Sequence, residues 1–164
     1  MTFNIRNAEI KDKQAIADIF NFYIENTQAA FFETKVDDTF YDMLLKGAAG
    51  NSFYVVENSL QKVIGWGLLK KYHMAPAFNR VAELTYFFSP ECTGMGTGKL
   101  LLDKLESDCR TAGIDTVLAK ISSLNPQSIR FHEKNGFLQC GCFKKVARKF
   151  EKDVDVIWMQ KFIV

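Results

Sequence analysis

The chain is 164 residues long, enough for one domain, and 48% of it is apolar, including 15 phenylalanines able to fill a sizeable core. Its 21 Lys and Arg against 19 Asp and Glu leave a net charge of +2 with no long basic run, which argues against nucleic acid as the main partner. No apolar stretch is long enough to span a bilayer, and Met1-Thr2-Phe3-Asn4-Ile5-Arg6 lacks the apolar core of a signal peptide, so a cytoplasmic protein with no membrane partner is expected.

Phe3 to Arg6 reads as a short strand. Ile16, Ile19, Phe20 and Tyr23 then mark one face of a helix, with Asp12 placed as its N-cap. Glu25 to Val36 has no clean period and carries the pair Phe31-Phe32, suited to covering a cleft or plugging the core edge. Thr39 to Leu45 predicts a second short helix. Ser52 to Glu57 and Val63 to Lys70 predict a hairpin around Asn58-Ser59. Tyr72 to Arg80, with Pro76, reads as a loop, and Val81 to Ser89 as a strand ended by Pro90.

A helix follows from Gly96 to Thr111, stopped by Gly113 as a C-terminal cap, and then a strand from Thr116 to Ile121. Asn125-Pro126 opens another helix, with Asn as N-cap and Pro at the first helical position, ending near Asn135-Gly136. Phe137 to Val146 and Val154 to Phe162 read as two last strands around a turn near Lys152-Asp153. The order is βααβββαβαββ, an α/β layered domain spanning residues 1–164.

The most informative segment is Thr93-Gly94-Met95-Gly96-Thr97-Gly98, between the apolar strand Leu84 to Phe88 and the helical pattern Leu101, Leu102, Leu105, Cys109. Alternate glycines let backbone N–H groups approach a ligand, and the helix N-terminus behind them favours anions, so a phosphate or pyrophosphate cradle is predicted. It is not a Walker loop, because Gly98-Lys99 has Thr93 and Leu100 where glycine and Ser or Thr belong. It is not a dinucleotide fingerprint either, because Lys99 stands where the last glycine or alanine would be. Cys92, Cys109, Cys140 and Cys142 form no C-x-x-C pair and read as reduced packing thiols, so no metal is expected.

The element order, the glycine loop and the segment Asn125-x-x-Ser128 with Phe131-His132-Glu133-Lys134-Asn135-Gly136-Phe137 together resemble the GNAT superfamily of N-acetyltransferases over nearly the whole chain. Glu25-Asn26-Thr27 with Phe31, Val81-Ala82-Glu83, Ser89-Pro90, His132-Glu133-Lys134 and Asp155-x-x-x-Met159 resemble in particular the phosphinothricin and methionine sulfoximine acetyltransferase group. The resemblance implies a mixed, mostly antiparallel sheet flanked by helices and acetyl-CoA as acetyl donor. It implies a pyrophosphate site on Thr93, Gly94, Met95, Gly96, Thr97, Gly98 and Lys99. It places the pantetheine arm along Tyr86, Phe87 and Phe88, with a further contact from Asn125 and Ser128 at the next helix start. Thr93 departs from the Gln or Arg that usually opens the family's loop, and Lys99 is expected to supply charge in compensation.

Acetyl transfer to an ammonium needs a general base, and the resemblance gives that role to Glu83. Backbone amides of Phe87 and Phe88 at a strand bulge are expected to hold the oxyanion, and His132 to serve as proton donor. Phe31, Tyr72, Phe78 and Arg80 are expected at the acceptor site, with Arg80 recognising an anionic group and Lys70–Lys71 as weaker candidates. The reading is an acetyltransferase acting on the amine of a small amino-acid-like molecule, as a homodimer. A protein or peptide N-acetyltransferase and a non-catalytic acetyl-CoA-binding module stand as alternatives.

Overall fold

In the computed structural model, which describes residues 2–163, seven strands form one sheet in the order β1-β2-β3-β4-β5-β7-β6. They are β1 (Asn4–Asn7), β2 (Ala48–Glu57), β3 (Val63–Lys71), β4 (Val81–Phe88), β5 (Thr116–Ser122), β6 (Leu138–Lys149) and β7 (Lys152–Phe162). The helices are α1 (Lys13–Asn26), α2 (Thr39–Gly47), α3 (Thr97–Ala112) and α4 (Pro126–Lys134). The βααβββαβαββ order is the one read from the sequence. Every pairing is antiparallel except that of β4 with β5. That one parallel pair is joined by α3, as a parallel crossover requires.

The helices cover both faces. On one, Leu101, Leu102, Leu105 and Cys109 of α3 pack with Leu84, Ala119 and Met159. On the other, Ile16, Phe20 and Ile24 of α1 and Phe40 and Leu44 of α2 pack with Val55, Trp66 and Leu68. Alternation along β4 follows: Leu84 turns toward α3, and Phe87 toward α1 and α2. Cys109 is a buried thiol of this core, pushed up to about 11 by burial.

Helix ends obey their local chemistry. Asn125 Oδ1 accepts from Ser128 N–H at 3.1 Å and caps α4, with Pro126 at its first position. Gly113, at φ +71°, ends α3 while Ile114 N–H reaches back to the Cys109 carbonyl at 2.8 Å. Asp12 precedes α1 but does not cap it. Its carboxylate accepts the Glu9 N–H at 2.8 Å and both Arg6 guanidinium nitrogens at 2.7 and 2.8 Å, which holds it below the usual carboxylate range despite burial.

Two boundaries move. Strand β2 begins at Ala48, with a register shift before Phe53. The β6–β7 turn is Phe150-Glu151, between paired Lys149 and Lys152, and not Lys152-Asp153. Both turn residues have positive φ, +49° and +60°, a conformation normally signalled by Asn-Gly or Asp-Gly and here by nothing in the sequence.

Candidate active site

The site opens where β4 and β5 part. Their ladder runs from Val81–Thr116 to Leu84–Ala119 and stops, although β4 continues to Phe88 and β5 to Ser122. Meanwhile β4 stays paired with β3 as far as Gly65–Phe88. The result is a wedge between two formerly adjacent strands, enlarged into a cleft of about 890 Å³.

Amide direction in the wedge follows from the β3–β4 register. Ser89 N–H bonds to the Ile64 carbonyl at 2.8 Å, so strict alternation turns the Phe87 amide toward β3 and those of Phe88 and Tyr86 toward the open side. Consistently, the Phe88 carbonyl accepts from the Tyr23 hydroxyl at 2.7 Å instead of from β3. The expected bulge is absent, since the β3–β4 register is unbroken. A Phe87–Phe88 donor pair therefore does not form; the two open-side amides are those of Tyr86 and Phe88.

The glycine loop lies at the mouth of the wedge. Gly94 and Gly96 both adopt left-handed backbone, φ +81° and +82°, and nothing lies within 4 Å of where a Cβ would stand. Gly96 is the N-cap residue of α3; the Lys99 and Leu100 amides bond back to its carbonyl, which leaves those of Thr97 and Gly98, at the start of this 16-residue helix, toward the loop. Gly98 gives close approach of another kind, because a Cβ there would stand 3.3 Å from Phe131. Thr93, Gly94, Gly96, Thr97, Gly98 and Lys99 line the cleft; Met95 does not, and its side chain is exposed. The Thr93 hydroxyl turns back to the Pro90 carbonyl at 2.9 Å, and the Lys99 ammonium pairs with Asp103 one turn along α3. Both partners of that pair are about half exposed, so it is weak and leaves the Lys99 ammonium at the cleft beside a cradle of backbone.

Deeper in, Glu83 sits one residue before the end of the β4–β5 ladder on the α1–α2 side of the sheet. Its carboxylate is flanked by two ammonium groups, Lys70 Nζ at 3.2 Å and Lys120 Nζ at 3.8 Å from the same oxygen. Phe31 roofs this end, with its ring 5.9 Å from Lys120 Nζ.

On the other side of β4, His132 is buried beneath Tyr86. Its Nδ1 lies 2.8 Å from the Ser128 carbonyl and so carries the proton, leaving Nε2 to accept from the Tyr86 hydroxyl at 3.0 Å. Burial lowers the pKa of His132, partly offset by the Ser128 bond, and pushes the Tyr86 phenol well above its ordinary range. The expectation that His132 donates directly needs correction: the imidazole is neutral at pH 7, and its free nitrogen faces a phenol. Asn125 and Ser128 line the cleft, and Ser128 also fixes the histidine tautomer.

Three expected acceptor residues lie elsewhere. Arg80 forks onto Asp115, at 2.9 Å from Nε and 2.5 Å from its terminal nitrogen, across the closed end of the wedge. Phe78 packs on His73 and lines a separate cavity of about 450 Å³. Tyr72 lies between Phe78 and Trp158, outside the cleft lining. In their place the structure brings Lys70 and Lys120 to Glu83. Lys120 has no sequence signal, because its partner lies 37 positions back and is reached only through the parallel crossover. Tyr23 reads in sequence as one more core residue of an amphipathic helix, but its hydroxyl reaches β4.

The model of the "Acetyltransferase (GNAT) family" matches residues 16–137. This chain belongs to the GNAT acetyltransferase family. Among GNAT relatives, the L-methionine sulfoximine/L-methionine sulfone acetyltransferase of Pseudomonas paraeruginosa is 28% identical over 98% of this chain and 94% of its own. A phosphinothricin acetyltransferase from Sinorhizobium meliloti in complex with acetyl-CoA superposes with a TM-score of 0.92 at 27% identity, over 99% of this chain and 89% of that one. A ribosomal-protein-alanine N-acetyltransferase from Brucella melitensis gives 0.87 at 30% identity, over 97% and 99%.

The chain is thus an N-acetyltransferase using acetyl-CoA. Its residues fit that cofactor. The glycine cradle has open space at Gly94 and Gly96 for a pyrophosphate to approach the backbone, and the open side of Tyr86 to Phe88 offers backbone groups to an extended amide-bearing arm. Among the described residues there is no group of His, Cys, Asp and Glu suited to a metal, and no helix is long and apolar enough to cross a membrane.

Proposed function

We propose that this GNAT enzyme acetylates the amine of a small amino-acid-like molecule, with Glu83 as general base. The observation that carries the reading is the position of Glu83, in the cleft on the α1–α2 side of the sheet and one residue before the wedge opens. Acetyl-CoA, when bound, supplies an acetyl thioester whose carbonyl carbon passes to the substrate nitrogen while CoA leaves as the thiol. Glu83 accepts the proton that the substrate ammonium must lose to become a nucleophile. The Phe88 amide, facing the open side, is the backbone donor available to the acyl oxygen. The Tyr86 hydroxyl borders the same wedge with its hydrogen directed at neutral His132 Nε2, so it protonates a departing thiolate only by turning away from the imidazole. Gly94, Gly96, Thr97 and Gly98 hold the pyrophosphate through their amides.

The roof limits the size of the acceptor. Phe32 packs edge-on against Phe20 and Phe40, at 5.3 and 6.1 Å between centroids, so the segment carrying Phe31 and Phe32 is anchored over the cleft. The names of relatives support a methionine sulfone or phosphinothricin type of acceptor. A peptide N-terminus is the second reading, favoured by the Brucella melitensis relative. Thiol release from acetyl-CoA with L-methionine sulfone, phosphinothricin, an alanine-terminated peptide and a polyamine tests both. Turnover of the amino acids above the peptide is expected; the reverse order would give the peptide reading the site.

The homodimer is likewise proposed. Strand β6 is the edge of the sheet, and Leu138, Phe143 and Val146 on it are exposed, as is Phe162 of β7. Uncovered, such an edge invites association. Sedimentation as a dimer is expected, and a monomer at working concentration would remove the proposal.

A further inference from the structure

The charge around Glu83 does not balance. One carboxylate faces two ammonium groups, and the two are held differently. Lys70 donates a hydrogen bond to Glu83 at 3.2 Å. Lys120 stands off at 3.8 Å, beyond hydrogen-bonding distance, and among the described residues no hydrogen bond engages it. It is held instead between two rings, with Nζ 5.9 Å from both the Phe31 and the Trp158 centroids. Rings on two sides favour the cation and limit its swing, but they satisfy none of its three N–H donors.

We infer that Lys120 is the anchor for the carboxylate of the acceptor. This rests on the amino-acid reading proposed above and assigns the recognition to a residue that β5 brings to the cleft. The Lys70–Glu83–Lys120 cluster carries a net +1, so a bare ammonium approaching Glu83 meets repulsion from two lysines. A molecule bearing an anion next to its amine cancels the surplus charge and brings its nitrogen to the base in one act. An α-amino acid has that geometry, with carboxylate and amine on one carbon. Lys70 is less suited, because moving it to the substrate would break its bond to Glu83. Arg80 is excluded by position, since its guanidinium is forked onto Asp115 at the closed end of the wedge.

The test compares an amino acid with its decarboxylated amine, L-methionine sulfone being the probe, in the wild type and in Lys120→Ala and Lys120→Arg. Lys120 is partly exposed on a strand, and its removal leaves no cavity; retention of the thermal shift with acetyl-CoA reports an intact fold. Loss of a charged contact to the carboxylate should cut the ratio of kcat/KM for the acid over the amine by about 10- to 100-fold in Lys120→Ala, chiefly through KM. Lys120→Arg should recover part of it. A ratio unchanged in Lys120→Ala overturns the assignment, as does a wild type that already prefers the amine, and both leave the transferase reading in place. A wild type that releases thiol with neither compound, but does so with peptides, overturns the amino-acid reading itself and the assignment with it.

Discussion

The Tyr86 hydroxyl lies 3.0 Å from His132 Nε2, and the opposite ring nitrogen of His132 is committed to the Ser128 carbonyl at 2.8 Å. This pair links the wedge to α4 through buried His132 and half-buried Tyr86, each satisfying the other. It also gives the fold a titration signature. The pKa of His132 is lowered from 6.5 in the folded chain, so the unfolded chain binds the proton first as pH falls. The stability contributed is fully present above about pH 6.5 and is lost as pH drops from there toward the folded value. The paired carboxylates Asp12 and Glu57 are lowered from 3.8 and 4.5, so their loss falls at more acidic pH. Thermal melts across this range should show wild type losing stability below about 6.5 while His132→Gln stays flatter there; parallel curves would mean that His132 titrates alike in both states.

Tyr86→Phe keeps the ring and deletes the hydroxyl, leaving His132 Nε2 buried without a donor. A cost of about 1–3 kcal/mol is expected in denaturant titration. A second variant, Tyr86→Phe with His132→Phe, should cost less than the sum of the two singles, because it removes the stranded partner. Additive losses would show that the two groups are independent.

The glycine loop makes a separable claim. Gly96→Ala meets no atom within 4 Å, so its cost comes from φ +82° alone, about 1–2 kcal/mol. Gly96→Glu brings the same strain plus a carboxylate at the cradle. Acetyl-CoA should still raise the melting temperature of the alanine variant and not that of the glutamate variant. An equal rise in both would place the pyrophosphate elsewhere.

Lys149 ties the roof to the β6–β7 hairpin. Its ammonium donates to the Ala30 carbonyl at 2.6 Å and the Tyr23 carbonyl at 3.4 Å. Burial lowers its pKa, and no carboxylate hydrogen-bonds to it among the described residues. Lys149→Met keeps the length and strands the Ala30 carbonyl, while the Tyr23 carbonyl still accepts from the Thr27 N–H and hydroxyl. Hydrogen exchange should quicken in the segment 27–38, and KM for the acceptor should rise more than KM for acetyl-CoA. A change confined to the hairpin would mean that the roof is held by Phe32 and its ring contacts instead.

Local signals in the sequence survived because their causes are local. Asn125-Pro126 starts α4 and Gly113 ends α3 through bonds made within a few residues, so both were legible. The turn at Phe150-Glu151 was not, because positive φ is forced there by the register of β6 on β7 and not by residue type. The glycine loop announces a cradle, and Lys99 at its mouth also pairs with Asp103 one turn along its own helix. Glu83 could be named from its surroundings and the family likeness. Its two lysines could not be assigned, because Lys70 and Lys120 reach it across separate strand pairs. Arg80 has suitable charge and sequence proximity, but it lies three residues of strand from Glu83, outside the cleft lining, against an aspartate that only the parallel pairing of β5 brings near.

The central claim is that Glu83 deprotonates the acceptor amine, and the pH dependence of turnover in Glu83→Gln tests it most directly. The variant keeps shape and removes basicity. With saturating acetyl-CoA and L-methionine sulfone, kcat at neutral pH should fall by ~10²–10⁴ while the acetyl-CoA melting shift persists. The deficit should narrow as pH rises and free amine accumulates without help. A variant that turns over at the wild-type rate at neutral pH would contradict the account, and so would a deficit that does not change with pH.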